Sequence, residues 1–285
     1  MLQGALAGLA IGGVYAVIAV CLTITAQLVR VVNFAQAAIG MIGAFFAVSM
    51  VGTGLAQPIA IVLGIVVGCL VSAAIGWVIT TWLADATTSA RSAVTVAALL
   101  LLISLSFIAF GTRPQSFRPL LPGPAFTIGG VVVTQVTVAM VILAVVVAIA
   151  AKLVLSKTRL GTKLRAIADR PVTAEMIGIP VRALSISVWL ATGLIASVAI
   201  IVIAPTQSAD ATSLSLLVIP ASAAALLGRF ARLDLALIGG LGLGMIQGAA
   251  AQFAELNVLR DWIPLVLIVA FLLWNQRKEA WDVAR

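Results

Sequence analysis

The chain has no histidine at all. That absence excludes imidazole metal ligands, histidine proton relays and the acyl-transfer triads that use histidine as base. Charge is nearly as scarce. Only 9% of the 285 residues are Asp, Glu, Lys or Arg, against 63% hydrophobic, whereas soluble domains carry roughly a quarter charged residues. A soluble globular domain is therefore excluded, and the length makes one membrane-embedded unit spanning residues 1–285. The two cysteines, Cys21 and Cys69, lie inside apolar runs, where they read as packing residues instead of a redox pair or metal site. No G-x-x-x-x-G-K-[ST] phosphate loop occurs, so the chain does not itself bind ATP by that device. A Gly-x-Ser-x-Gly elbow is also missing, and no catalytic residue, metal site or cofactor is expected. The first residues carry no basic stretch before their apolar run, so a cleaved signal peptide is not expected. The net charge of +8 is not arranged as a basic stripe interleaved with aromatics, so no nucleic-acid partner is expected.

Apolar runs fall at about 2–29, 33–51, 58–83, 93–111, 130–155, 184–204, 213–228, 235–254 and 261–275. A helix needs ~20 apolar residues to cross the hydrocarbon. The pattern predicts an all-α transmembrane helical bundle of about nine spans. The runs at 213–228 and 261–275 are short, and the first of these either crosses or dips and returns. With the N-terminus outside and the C-terminus inside, 14 of the 17 Lys and Arg fall on the inner side. Only Arg113, Arg118 and Arg260 fall outside, which is the asymmetry that insertion imposes. Residues 112–130, with four prolines and three glycines, cannot be helical in their middle. They read as a rigid, partly extended outer connection, either a plain linker or a contact surface.

The spans contain no evident charge at mid-membrane depth, where ion-coupled carriers usually keep their coupling groups. Neutral polar residues remain. Asn33 and Gln36 are costly to leave in hydrocarbon, and either line a solute path at a helix break or bond between helices. Gln247 and Gln252 carry the same two readings. Glycines at Gly4, Gly8 and Gly12, at Gly40 and Gly43, at Gly64 and Gly68, and at Gly240 and Gly244 suit close helix packing.

The one long charged stretch is 152–182, which holds seven of the 17 Lys and Arg. Its helix-forming pieces are broken at Pro171 and ended at Gly178 and Pro180. Leu164, Ile167 and Ala168 offer an apolar strip flanked by Lys163, Arg165 and Arg170, as a helix seated in a partner's groove would require. A basic loop lying on anionic lipid headgroups is the other reading.

Two segments resemble a known family. VVNFAQAAIGMIGAFFA (31–47) is similar to the Asn-Phe-Ala motif of the inner-membrane permeases of branched-chain amino acid (Liv-type) ABC importers. The stretch 158–200 resembles their cytoplasmic coupling segment, with the skeleton T-x-x-G-x-x-x-R-A-x-A at Thr158, Gly161, Arg165, Ala166 and Ala168, followed by Asp169, Ala174, Gly178 and Ile179. The external GTRPQSF (111–117) is similar too, and the resemblance covers most of the chain. It implies the ABC importer permease fold in a bacterial inner membrane. It also implies ATPase subunits docked on the segment 156–182, a second permease (a hetero-pair) and an extracytoplasmic solute-binding protein. The resemblance assigns coupling to Gly161, Leu164, Arg165, Ala166, Ala168, Asp169 and Gly178. Family members often follow Asn-Phe-Ala with a Gly-Glu pair and carry a Gly-Gly-x-Gly-Ser turn late in the chain. Here Gln36-Ala37-Ala38 and GRFARLD (228–234) stand instead, which leaves the solute open among amino acids, urea, amides and cyclic acids. The alternative function is a self-sufficient carrier or channel for a small neutral or zwitterionic solute. Arg165→Glu or Leu164→Asp is expected to abolish uptake while the chain still inserts. Normal ATP-dependent uptake by either variant would sink the coupling assignment, whereas a carrier without an ATPase should transport unchanged when Arg165 is charge-reversed.

Overall fold

A computed structural model describes residues 2–283 except 113, 129–130, 208–209 and 254–258. Arg113, Gly129 and Gly130, all placed outside from the sequence, lie outside the described residues. The helices in chain order are α1 (Leu2–Leu28), α2 (Gln36–Gly52), α3 (Gln57–Trp82), α4 (Thr88–Phe110), α5 (Gln135–Lys157), α6 (Arg159–Asp169) and α7 (Pro171–Met176). They continue with α8 (Val181–Ile203), α9 (Ala211–Leu216), α10 (Val218–Leu227), α11 (Leu233–Ala250) and α12 (Ile263–Val283). Among the described residues six helical stretches are long and apolar enough to cross a membrane, and three shorter apolar ones lie at Gln36–Gly52, Ala211–Leu227 and Ile263–Trp274. The chain is a multi-pass, mostly helical membrane protein.

Helix α1 is apolar on every side, and such a helix must be enclosed by others. Every residue from Val14 to Leu22 is buried. Enclosure on one flank depends on glycine. Gly4, Gly8 and Gly12 of α1 face Gly248, Gly244 and Gly240 of α11, antiparallel, with backbone against backbone. A Cβ at Gly244 would strike the backbone of Gly12 and Gly8, and one at Gly240 would strike Ala16. This is the most extensive helix pair in the molecule. A second layer joins α2, α3 and α8 in the same way: Gly43 meets Gly64, and Gly68 and Gly193 receive Ser197 and Ser72. Gly76 makes room for Trp189, which is fully buried.

Three expectations about element ends change. The run beginning at residue 130 opens as a strand. A two-stranded antiparallel hairpin pairs Pro124–Ile128 with Val131–Thr134, because β-branched Val131–Thr134 favour extended backbone. Helix α5 starts only after Thr134, whose hydroxyl accepts from the Thr137 amide. The run at 213–228 is two helices, broken at Leu217, because Pro220 has no amide to offer the carbonyl four residues back and its ring crowds it. Helix α9 packs on α2 and α4, whereas α10 packs on α1, α11 and α12. The connection after α4 is no loose linker: Phe117 sits 5.9 Å from Phe45, ring to ring, and Leu120 and Leu121 pack on the core.

The turn after α10 holds Arg229 and Phe230 at φ of 53° and 50°, a left-handed conformation that L side chains adopt at a cost of ~1–2 kcal/mol each. Two substitutions on one helix test the glycine seam. Gly244→Ala is expected to lower stability by about 1–3 kcal/mol through overpacking. Gly242→Ala, whose Cβ would meet nothing within 4 Å, should be neutral or slightly stabilising because alanine favours helix. Thermal unfolding of both variants in the same detergent checks the contrast, and equal midpoints would disprove the seam.

Candidate functional site

Three places could serve transport: a break between α1 and α2, a cavity at the end of the bundle where α1 begins, and the helices α6–α7 at the opposite end. The break comes first because its polar residues were the expected solute path. Residues 29–35 are non-helical backbone between two buried helices, and in hydrocarbon each free amide and carbonyl there would be costly. The sequence supplies partners one by one. Asn33 Nδ2 donates to Gln36 Oε1 at 2.7 Å, and Asn33 Oδ1 accepts from the Ala35 amide at 3.1 Å. Gln36 Nε2 donates to the Thr192 carbonyl of α8 at 2.8 Å. From α4, Ser92 Oγ accepts from the Val32 amide and Thr95 Oγ1 accepts from the Phe34 amide. Thr95 Oγ1 also lies 2.9 Å from the Val32 carbonyl as donor.

Asn33 and Gln36 are completely buried and line none of the cavities described below. Of the two readings of this pair, interhelical hydrogen bonding describes their geometry: they form a joint among α1, α2 and α8. The Cys21 thiol lies 4.0 Å from the same Thr192 carbonyl.

The cavity at the α1 start, about 790 Å³, lies between α1, the second hairpin strand, the start of α5 and the end of α11. Its polar lining is amide and hydroxyl: Gln3, Gln207, Gln247, Gln252, Thr134 and Thr137 among others, with Tyr15 deeper. Among the described residues Arg260 is the single charged residue of the lining, and its carbonyl accepts from Gln247 Nε2 at 3.1 Å. Gln247 thus serves both readings proposed for it. Sequence reasoning missed Gln3, Gln207 and the two threonines, because they meet only when α1, α5 and the end of α8 come together. A cavity of this size, lined mainly by neutral hydrogen-bonding groups, admits a small hydrogen-bonding solute together with water.

At the other end, α6 and α7 form an elbowed pair. Thr158 Oγ1 caps α6 by accepting from the Gly161 amide at 3.1 Å, as an N-cap threonine does. Gly161 is pressed on the end of α5, where a Cβ would strike Val154 and Leu155. Gly178, at φ 83°, ends α7, and its amide donates to Glu175. The Asp169 carbonyl accepts from Arg30 Nη2 at 2.9 Å, which ties the end of α6 to the break. The expected outward apolar strip needs correcting. Leu164 and Ile167 are 6% and 5% exposed and turn toward the chain's own helices, because α6 packs on α5, α1 and α8. Ala166 and Ala168 are half-buried, and Arg165 and Asp169 are exposed. The outward apolar surface comes instead from Leu160, Val172, Met176 and Ile177, with Val172 71% and Met176 83% exposed.

Comparison with known proteins follows from this geometry. The family model described as branched-chain amino acid transport system, permease component, matches residues 4–272. A relative from Methanocaldococcus jannaschii, named a probable branched-chain amino acid transport permease protein LivH, is 26% identical over 275 residues, covering 90% of this chain and 85% of that protein. Among solved structures, PsaBC from Streptococcus pneumoniae in complex with Fab aligns with a TM-score of 0.49 at 15% identity, covering 95% of this chain and 89% of that one.

The joint generates a test. Gln36→Leu is expected to destabilise the protein by about 1–3 kcal/mol, because it strips buried Asn33 of a partner. In a double-mutant cycle, Asn33→Leu and Gln36→Leu should be far from additive. Additive losses in detergent unfolding would show that the pair does not act as one unit.

Proposed function

The chain belongs to the family of permease components of branched-chain amino acid transport systems, and from that premise we propose that it is the membrane subunit of an ATP-driven importer for a branched-chain amino acid or a related small solute. Its spans form alternating access, nine of them, with the N-terminus outside and the C-terminus inside. Energy enters from partner ATPases through α6 and α7. A second, different permease completes the membrane unit, and an extracytoplasmic binding protein delivers solute to the outer mouth in a bacterial inner membrane. The subunit carries out no chemistry of its own.

The observation that carries this reading, beside the family match, is the exposed apolar face of Leu160, Val172, Met176 and Ile177 set among the exposed Lys163, Arg165 and Arg170. Such a face is costly in water and has the composition of a helix-docking surface. It lies at the end that also holds Lys152, Arg229 and Arg232, the basic end that insertion keeps inside. Leu164 and Gly161 then act as positioning residues: they seat α6 on the bundle so that a push on α6 moves α5 and the Arg30 link. The 790 Å³ cavity at the opposite end, neutral and hydroxyl-rich, supports a vestibule for solute. Asn33 and Gln36 act as the sealed pivot between the two.

Affinity purification of the chain from native membranes in mild detergent should recover P-loop ATPases and a second permease. A clean homo-oligomer that transports without ATPase would replace this reading with that of a self-sufficient carrier. Met176→Asp and Val172→Asp are expected to cut ATPase recovery by tenfold or more while leaving the unfolding midpoint of the permease unchanged. Leu164→Asp should lower that midpoint instead, since its side chain faces the chain's own core. Full ATPase recovery with both surface variants would place docking elsewhere.

A further inference from the structure

A second, smaller cavity lies behind α6 and α7. It measures about 240 Å³ and is walled by the ends of α1 and α3, the loop before α4, the start of α8, and the inner side of α6–α7. Its floor is mostly apolar: Leu28, Ile79 and Ile167 come from three different helices, with Val29 just beyond α1, all four buried, and Ser185 of α8 adds one buried hydroxyl. Its rim is charged with both signs. Arg30, Arg91 and Arg182 stand with Asp85 and Glu175 around the same opening.

These charges do not neutralise one another. Among the described residues the salt bridge is Lys152–Asp234, 3.2 Å, on another face. The rim arginines are instead pinned by backbone. Arg30, itself at φ 55°, donates through Nη2 to the Asp169 carbonyl at 2.9 Å. Arg91 Nε donates to the Leu83 carbonyl at 2.9 Å, and its Nη2 to the Ala84 carbonyl. A guanidinium has five N–H donors, so both keep donors for a ligand. The frame thereby holds positive and negative groups apart over a dry floor.

We propose that this cavity binds one free aliphatic α-amino acid as its zwitterion. The carboxylate meets the guanidiniums of Arg30, Arg91 and Arg182, which suit a planar carboxylate. The ammonium meets Asp85 and Glu175, and the side chain covers Leu28, Ile79 and Ile167. A bare phosphate would leave the two carboxylates and the floor unmatched, and a metal cation would face three arginines. The volume admits a single small molecule and no peptide. Because Ile167, Pro171, Val172 and Glu175 of α6–α7 form one wall, the occupant clasps those helices to the bundle. On the reading that the chain serves an amino-acid importer, on which only this consequence rests, the site senses product on the ATPase side and slows the cycle.

The test uses the assembled permease–ATPase complex in nanodiscs, with radiolabelled leucine as probe and without binding protein. Saturable binding is expected, at least tenfold weaker in Arg182→Ala and in Asp85→Asn. Isocaproate and isoamylamine, which each lack one charged group, should compete at least tenfold less well than leucine. Ile79→Trp, filling the floor, should abolish binding; the rim variants carry the test if that protein fails to fold. Unchanged binding in both rim variants, or displacement of leucine by inorganic phosphate or by anionic lipid at equal concentration, would overturn the site. Leucine uptake with binding protein is measured separately in proteoliposomes. Uptake without leucine binding at the cavity sinks this proposal alone, whereas rim-sensitive binding without leucine uptake sinks the transport reading and leaves the site standing.

Discussion

The backbone contact between α1 and α11 is the constraint on which the remaining packing depends. In lipid, apolar side chains gain little by leaving the solvent, so helices associate through close contact and hydrogen bonding. Gly4, Gly8 and Gly12 against Gly248, Gly244 and Gly240 give the nearest approach that two helices can make. That approach lets a helix with no polar face become the hub, with α5, α8 and α10 arranged around the rest of its circumference. The α2–α3–α8 layer repeats the device with Gly43, Gly64, Gly68 and Gly193. Adjacent helices with such smooth faces can slide, which side chains interlocked across a seam would resist.

A hub without charge needs its polar breaks satisfied locally. The segment 29–35 shows how. Asn33, Gln36, Ser92 and Thr95 replace the backbone partners lost when α1 ends inside the bundle. The same segment carries Arg30 to the Asp169 carbonyl at the end of α6. One continuous set of contacts thus runs from α6, through Arg30 and the break, to Thr192 in the middle of α8. Energetic coupling between the members of such a set is a separate property from their contiguity.

The division of labour between the ends follows from what each end contains. The α1 start gathers amides and hydroxyls around a wide cavity, suited to weak and exchangeable hydrogen bonds with a passing solute. The α6–α7 end gathers cations, an exposed apolar face and a small cavity with a charged rim, suited to tighter and more selective contacts. Between the two ends lie the buried Asn33–Gln36 pair and the glycine layers.

The sequence by itself determined the class and set residues 152–182 apart as the one long charged stretch. It did so because long apolar runs, proline breaks and clustered basic residues are local signals whose physical meaning does not depend on the fold. What only the tertiary structure decided was direction. Leu164 and Ile167 gave a correct amphipathic stripe, yet nothing local said whether it faced a partner or the chain's own bundle. For Asn33 and Gln36 the structure supplied a partner, the Thr192 carbonyl 156 residues beyond Gln36, that no local signal announces. The hairpin at 124–134 and the split at Leu217 likewise depended on neighbours, because extended and helical choices for short apolar runs differ by less than tertiary packing supplies. Both cavities are lined by residues from widely separated segments, and periodicity along one helix carries no record of them.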